Sequence, residues 1–241
     1  METSEGKRRD GGGLFEVAPS VVAAAHELKS PLVLVRQLAL VIEQDPQRAV
    51  EYAERIALTA DRALRLTSDL TRAARLEDSF FESEPLNALK LLEEVADEMA
   101  PLYQAHGREL TIASRRQSPL VVANHDLVRR VLLGFTDNAL MYADRDTPVQ
   151  LSLGAKPQRG VVRLEVRDFG PSVVKNTIKN ISKSIGVRPV SASTRPASSG
   201  LGLYLAQQFA SMMHARVGLI RHRDGASFYI DVPISTQLYL L

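Results

Sequence analysis

The residues with the clearest chemical potential form a short string near the start of the chain, His26-Glu27-Leu28-Lys29-Ser30-Pro31-Leu32. An imidazole changes its charge near neutral pH and can act as a proton carrier or a nucleophile. Glu27 follows the histidine at once, and its carboxylate could accept a ring proton or fix the tautomer of the ring. A lone histidine or helical glutamate is more often a surface or core residue, so this string predicts chemistry only together with other motifs.

Three further strings have residue types that suit a nucleotide. Asn138 in Asp137-Asn138-Ala139 lies within a helical pattern, and its amide oxygen is a suitable Mg²⁺ ligand, although local capping is the commoner role of an Asn. Asp168-Phe169-Gly170-Pro171 follows a strand, where a carboxylate can accept a hydrogen bond from an exocyclic amine such as that of adenine, although plain turns use the same residues. Ser198-Ser199-Gly200-Leu201-Gly202-Leu203 opens a helix, whose backbone amides favour phosphate groups.

Two heptad patterns predict the helices that position the histidine. The first helix should end near Gln44, and Asp45-Pro46 is a suitable start for the second, which gives an antiparallel hairpin. His26 lies one position past the first stripe, so we expect it on the shoulder of the helix, accessible to solvent, with a bend at Pro31 just after it. The stripes, at four-three spacing, are Val21, Ala25, Leu28, Leu32, Val35, Ala39 and Ile42, then Tyr52, Ile56, Thr59, Ala63, Leu66, Leu70 and Ala73.

One hairpin offers too little partner surface to bury both stripes. We therefore predict a homodimer through residues 19–77, in which two hairpins form a four-helix bundle.

The rest of the chain predicts a two-layer α+β domain after a linker at Ser79 to Pro85. Turns are expected at Gln158-Arg159-Gly160 and Asp224-Gly225. We divide the chain into an arm or linker at 1–18, the hairpin at 19–79 and the α+β domain at 80–241. The predicted helices are Leu86–His106, Asp126–Ala143 and Leu201–His214, and the predicted strands are Leu110–Ser114, Leu120–Ala123, Val149–Ala155, Val161–Asp168, Arg216–His222 and Ser227–Val232.

Composition narrows the class of protein. The chain has 241 residues, a net charge of +2 and no cysteine. We therefore expect no direct nucleic-acid binding, no disulfide and no thiolate metal site. No uncharged apolar run approaches the roughly 18 residues of a membrane-spanning helix, and residues 1–13 lack the apolar core of a signal peptide. These features predict a cytoplasmic protein without a membrane span.

Together, the histidine string and the three nucleotide strings resemble the transmitter region of bacterial sensor histidine kinases. Their order matches the phosphoacceptor box, second hairpin helix, asparagine box, aspartate-glycine box and glycine-rich box of that family, from about residue 19 to about residue 234. The resemblance implies that the α+β domain is an ATP-binding α/β sandwich of the histidine-kinase and gyrase type. It also implies autophosphorylation from ATP and transfer of the phosphoryl group to an aspartate of a response regulator in a two-component system.

The resemblance also implies roles for individual residues. His26 would accept the phosphoryl group through Nε2, with Glu27 as its general base or orienting partner. Ser30 would orient a water that removes phosphate from a partner.

In the ATP site, Asn138 would hold Mg²⁺ on the phosphates, Asp168 would contact the adenine amine and Gly170 would allow the base to approach closely. Tyr142 would pack near the adenine. A lid at 172–199 would cover the site. The glycine-rich residues assigned to the nucleotide are Gly200, Leu201, Gly202 and Leu203, and the candidate phosphate contacts of the lid are Lys175, Lys179, Lys183, Arg188 and Arg195.

The ATP-site motifs depart from the family pattern, whereas the histidine string keeps it. The family often has a first Asn where this chain has Gly134, and a Lys or Arg where it has Met141. The other departures are Ser172 and Ser198 at glycine positions, Ile178 and Ile181 where a phenylalanine is expected, and Ala215-Arg216 for Gly-Gly. Losing one charge-assisted contact costs on the order of 1.5–3 kcal/mol, so ATP binding should be weakened without being abolished.

Two alternatives follow from these departures. The first is a degenerate kinase that serves as a dimeric docking hub or a phosphatase for a response regulator. The second is an ATP hydrolase or chaperone of the same broader fold, which is less well supported because those enzymes resemble one another in having a water-activating Glu where this chain has Gly134. The residues do not decide whether transfer to His26 occurs within one subunit or between two.

Overall fold

A computed structural model describes residues 17–74, 82–113, 120–142, 147–170 and 201–235. In these ranges an N-terminal helical hairpin precedes an α+β layer, which confirms the predicted fold class. The helices are α1 (Val17–Gln44), α2 (Ala49–Ala74), α3 (Ala88–Ala105), α4 (His125–Tyr142) and α5 (Leu201–Met212). The strands are β1 (Glu84–Asn87), β2 (Leu110–Ile112), β3 (Leu120–Ala123), β4 (Val149–Lys156), β5 (Val161–Phe169), β6 (Arg216–His222) and β7 (Gly225–Pro233).

The hairpin turns tightly between α1 and α2. Helix α1 ends at Gln44 as predicted, and Asp45 N still donates to Val41 O at 2.8 Å. The second helix does not begin at Pro46, however, because Pro46–Arg48 forms a 3-10 turn and α2 begins at Ala49. Asp45 makes no side-chain capping hydrogen bond. Since proline fixes φ and lacks an N–H, it suits this tight first turn equally well.

The two helices differ in how well their heptad patterns predict burial within one chain. On α2 the predicted stripe faces inward, with Tyr52 and Thr59 both buried. Among the described side chains of α1, Leu38 is buried although it lies outside the predicted stripe, whereas Leu32 of the stripe is 60% exposed. A heptad pattern marks apolar positions without saying whether they pack within one chain or between chains. The dimeric bundle therefore stays a prediction.

The α+β layer is built on a five-stranded sheet in the order β2-β4-β5-β7-β6. Strand β2 runs parallel to β4, and the remaining pairs are antiparallel. Strand β5 alternates between buried and half-buried residues, as expected for a sheet with one face packed against helices. The sheet and the helices share one apolar cluster, whose fully buried members include Leu92, Leu132, Leu151, Leu164, Phe209 and Ile230.

Most element bounds in the α+β layer match the predictions within two residues, but one segment was predicted wrongly. Residues 84–87 form strand β1, which pairs with β3, instead of the end of a linker and the start of a helix. The helix begins at Ala88 because Asn87 caps it: Asn87 Oδ1 accepts hydrogen bonds from Leu89 N at 3.0 Å and Lys90 N at 3.1 Å. Residues 79–81 of the predicted linker lie outside the described residues.

Candidate functional site

A cavity of about 760 Å³ lies between the helical hairpin and the α+β layer. All five helices contribute to its wall. The residues predicted for chemistry that line it are Glu27, Ser30, Asn138 and Gly202. The structure thus brings part of the histidine string together with parts of two nucleotide strings that lie more than a hundred residues away in sequence.

The cavity reaches the turn of α1 that carries His26. Glu27 is half-buried and Ser30 is exposed, and both belong to the wall. Because an α-helix makes one turn in 3.6 residues, Ser30 lies about one turn beyond His26. The backbone of His26 is part of α1, and its side chain lies outside the described residues. Its predicted solvent accessibility therefore stays a prediction.

Asn138 packs against the first turn of α5. A Cβ carbon built on Gly202 would lie 3.5 Å from Nδ2 and 3.8 Å from Oδ1 of Asn138. Helix α5 presents the backbone amides of its first turn at this point, where an anion is favoured. An amide oxygen beside a helix N-terminus is suited to a metal ion that is itself held on phosphates. The geometry therefore fits the predicted use of Asn138 and Gly202.

The two leucines of the glycine-rich string anchor α5. Leu201 is fully buried, and Leu203 packs against the same apolar cluster. Their side chains hold the helix on the sheet layer, so a nucleotide would meet their backbone groups. Gly200 and the whole predicted lid, with its five candidate cations, lie outside the described residues.

Asp168 is fully buried near the end of β5 and does not line the cavity. Its Oδ1 accepts a hydrogen bond from Ala226 N at 3.0 Å. Gly170, which is also buried, donates its N–H to Asp224 O at 3.1 Å. The turn between β6 and β7 therefore holds the end of the strand that carries the proposed adenine contact.

Tyr103 joins α3 to the asparagine helix, a connection that the sequence did not indicate. Its hydroxyl donates to Thr136 O at 2.8 Å within the core. Burial raises the pKa of Tyr103, and the negative charges of Asp137 and Asp168 raise it further. Tyr142, the predicted adenine neighbour, is the last residue of α4, and its side chain lies outside the described residues.

Asp137 is a second residue whose surroundings the sequence did not reveal. Its Oδ1 lies 3.7 Å from Arg62 Nε and 3.7 Å from Arg65 Nη2, both on α2. Burial raises the pKa of Asp137, and the two guanidinium groups oppose that rise. All three residues line the cavity beside Asn138. The hairpin therefore contacts the helix that carries the candidate metal ligand.

The donor set of the cavity agrees with a magnesium ion carried by a nucleotide. Within the described ranges, no three His, Cys, Asp or Glu side chains gather as a metal site. Mg²⁺ in nucleotide sites typically takes one or two protein oxygens and completes its shell with phosphates and waters. Asn138 supplies such an oxygen, so the residues present fit Mg²⁺ bound together with ATP.

Comparison with known proteins finds a family match in the second half of the chain. Residues 123–236 match the protein family described as histidine kinase-, DNA gyrase B-, and HSP90-like ATPase. The chain is 25% identical over 218 residues to the sensor histidine kinase YkoH of Bacillus subtilis, covering 89% of this chain and 46% of YkoH. The chain thus spans about half the length of that relative.

Two solved structures share the fold. Full-length ShkA in complex with AMPPNP superposes with a TM-score of 0.61 at 23% identity, covering 93% of this chain and 45% of that chain. The histidine kinase ThkA in complex with the response regulator protein TrrA superposes with a TM-score of 0.63 at 15% identity, covering 92% of this chain and 63% of that chain. Among the helices that the structure describes, none is long and apolar enough to cross a membrane.

Proposed function

We propose that this chain, a histidine kinase transmitter region with its ATPase domain at residues 123–236, phosphorylates itself on His26 and passes the phosphoryl group to a response regulator. The observation that carries this proposal is the shared cavity. It places Glu27 and Ser30, within about one helical turn of His26, in the same wall as Asn138 and Gly202. A phosphoacceptor helix and an ATP site that share one cavity have the arrangement that phosphoryl transfer needs, because positioning and charge neutralisation dominate its catalysis.

The chemical step assigns one role to each residue of the histidine string. The Nε2 lone pair of His26 attacks the γ-phosphorus of ATP, the bond from that phosphorus to the bridging oxygen breaks, and ADP leaves. Glu27 accepts or holds the proton on the other ring nitrogen, so the product imidazole does not retain an extra positive charge. Ser30, which is exposed in the wall, orients a water for removal of phosphate from the response regulator.

The ATP site is proposed from residues of α4, β5 and α5. Asn138 would hold Mg²⁺, which neutralises charge on the phosphates when bound. The backbone of the segment from Gly200 to Leu203 would lie along the phosphates. Asp168 would accept a hydrogen bond from the adenine amine, with Gly170 leaving space for the base and Tyr142 packing near it.

We further propose that the chain acts as a cytoplasmic homodimer through residues 19–77, within a hairpin domain at 19–79, with the catalytic domain at 80–241. The hairpin supports the dimer because several large apolar side chains on its surface are exposed in the single chain. They are Leu32 at 60%, Val33 at 43%, Leu40 at 42% and Leu64 at 66%. Sedimentation equilibrium of the full chain tests this proposal, and a monomer at micromolar concentration would contradict it.

The proposed reaction is tested with γ-labelled ATP, Mg²⁺ and the purified full chain. We expect label that is acid-labile and base-stable, as a phosphoimidazole is, and that disappears in His26→Gln. Circular dichroism of the variant confirms that the fold is kept.

Two results would contradict the reaction. Label that persists in His26→Gln would place the phosphoryl group elsewhere. Absence of label, together with nucleotide binding undetectable by calorimetry, would favour the degenerate docking hub instead.

A further inference from the structure

Helices α2 and α4 are joined by a set of ion pairs between their charged side chains. We call this set the α2–α4 ladder. Its first rung joins Arg62 and Arg65 to Asp137, its second joins Asp69 to Arg130, and its third joins Arg72 to Asp126 at 3.1 Å. The α2 members are spaced three, four and three residues apart, so they share one face of that helix.

The order of the rungs fixes how the two helices lie against each other. As the residue number rises along α2, the partner's number falls along α4, so the helices run antiparallel at the ladder. Sliding α4 by two turns in one direction would set Asp69 against Asp137. Sliding it by one turn the other way would set Asp69 against Asp126 and would bring Arg130 toward Arg65. Because either shift opposes like charges, only the observed register is complementary.

The second rung and the carboxylate of the first rung are largely shielded from solvent. The Arg130 and Asp69 side chains are 17% and 19% exposed, and that of Asp137 is 16% exposed. Exposed ion pairs contribute little, whereas removing one partner of a shielded pair leaves an uncompensated charge. The ladder is therefore able to favour one docked arrangement strongly over others.

We propose that the α2–α4 ladder positions the ATP-binding domain on the hairpin in the one register that brings Asn138 to the turn of α1 carrying His26, a role that rests on the proposed function above. Asp137 directly precedes Asn138, so the first rung fixes the helix at the candidate metal ligand itself. The rungs hold the domains and do not touch the reacting atoms, which makes their members positioning residues.

The second rung provides the sharpest test, because both partners lie away from Asn138. We would compare Asp69→Asn, Arg130→Gln and the double variant in autophosphorylation of the full chain. We expect each single variant to lower kcat about tenfold with an unchanged KM for ATP. The double variant should lose about as much as Arg130→Gln alone, and not a hundredfold, because both changes break the Asp69–Arg130 contact, while Arg130 also pairs with Asp126 at 3.2 Å. Arg48→Gln is the matched control, since Arg48 pairs with the nearby Glu51 at 2.8 Å on the exposed end of the hairpin.

A second measurement reports docking directly and does not depend on catalysis. The chain has no cysteine, so spin labels can be placed on Glu54→Cys of α2 and Asp97→Cys of α3, both of which are exposed. We expect one narrow distance distribution in the parent protein and a broad one after Asp69→Asn. If the parent protein is not labelled by ATP, the proposed function is contradicted. The distance measurement still tests whether the α2–α4 ladder positions the domains.

Several results would overturn the ladder. They are unchanged distances in Asp69→Asn, single-variant losses that multiply in the double variant, an increase in KM at constant kcat, or faster autophosphorylation. If Asp69→Asn does not fold, Arg130→Gln replaces it in the distance measurement, since it breaks the same rung. An unchanged distance distribution and rate in Arg130→Gln would then also contradict the ladder.

Discussion

Gly225 lies so close to Asp168 that a Cβ carbon built on it would fall 2.1 Å from the Asp168 carbonyl oxygen. Its φ of +144° is also one that other residues rarely adopt. The next residue, Ala226, donates its N–H to the Asp168 carboxylate. The glycine that begins β7 thus sets the position of the side chain proposed to contact adenine.

We predict that Gly225→Ala weakens ATP binding at least tenfold and destabilises the domain by about 1–3 kcal/mol, the usual cost of a strained backbone. The added methyl must displace the end of β5 and, with it, Asp168. Isothermal calorimetry measures the affinity, and urea unfolding measures the stability. Gly154→Ala is the control, since nothing lies within 4 Å of a Cβ there. Equal ATP affinity in the two variants would contradict the proposed contact between Asp168 and the nucleotide.

For Gly202→Ala we expect weaker ATP binding without the loss of stability that we predict for Gly225→Ala. A Cβ there would meet Asn138 at 3.5 Å, an ordinary contact, so the fold tolerates it. Alanine should hold or raise the free energy of unfolding, because glycine within a helix costs about 0.5–1 kcal/mol. We nevertheless predict weaker ATP binding in Gly202→Ala, because the methyl takes space between Asn138 and the phosphates. If the variant gains stability and keeps its affinity for ATP, Gly202 does not contact the nucleotide as proposed.

A substitution of Gly134 tests whether the missing Asn at this position weakens ATP binding. The resemblance places an Asn there, one turn before Asn138, and a Cβ on Gly134 has nothing within 4 Å. Both residues line the cavity. We therefore predict that Gly134→Asn tightens binding of Mg-ATP roughly tenfold, since a hydrogen bond to a charged group contributes about 1.5–3 kcal/mol.

Gly134→Ala separates the added amide from a helix effect. Alanine restricts the backbone as asparagine does but adds no polar group. The affinity of Gly134→Ala for Mg-ATP should therefore match that of the parent chain. Equal tightening in both variants would trace the gain to the helix and not to a new contact. Calorimetry at saturating Mg²⁺ measures the affinity of all three proteins.

The sequence predicted most of the elements because their signals are local. The four-three apolar spacing located both hairpin helices, and alternating residues located β4 and β5. The start of α3 was wrong because the apolar positions of β1 continue smoothly into the helical pattern. Only the pairing of β1 with β3, more than thirty residues away, makes residues 84–87 a strand.

The candidate site was predictable where a motif is contiguous and not where it depends on tertiary contacts. Asn138 and Gly202 stood out from neighbouring residue types, and the structure places them side by side. Nothing near Asp137 in sequence indicates that Arg62 and Arg65, more than seventy residues earlier, lie against it. The hydrogen bond of Tyr103 to α4 was also not predictable, because one tyrosine in an amphipathic helix resembles any other core residue.

A substitution of Glu27 tests whether the hairpin contributes a general base or only the histidine that accepts the phosphoryl group. It is half-buried in the wall that also contains Asn138, so a proton held there lies at the junction of the two domains. We predict that Glu27→Gln lowers the autophosphorylation rate by about 10²–10⁴, the usual contribution of a general base, while ATP affinity stays unchanged. Glu43→Gln, an exposed residue near the end of the same helix, controls for loss of helix charge. A rate within a factor of two of the parent chain would leave Glu27 without a role in proton transfer. A parallel loss of ATP affinity would instead mean that this carboxylate shapes the nucleotide site.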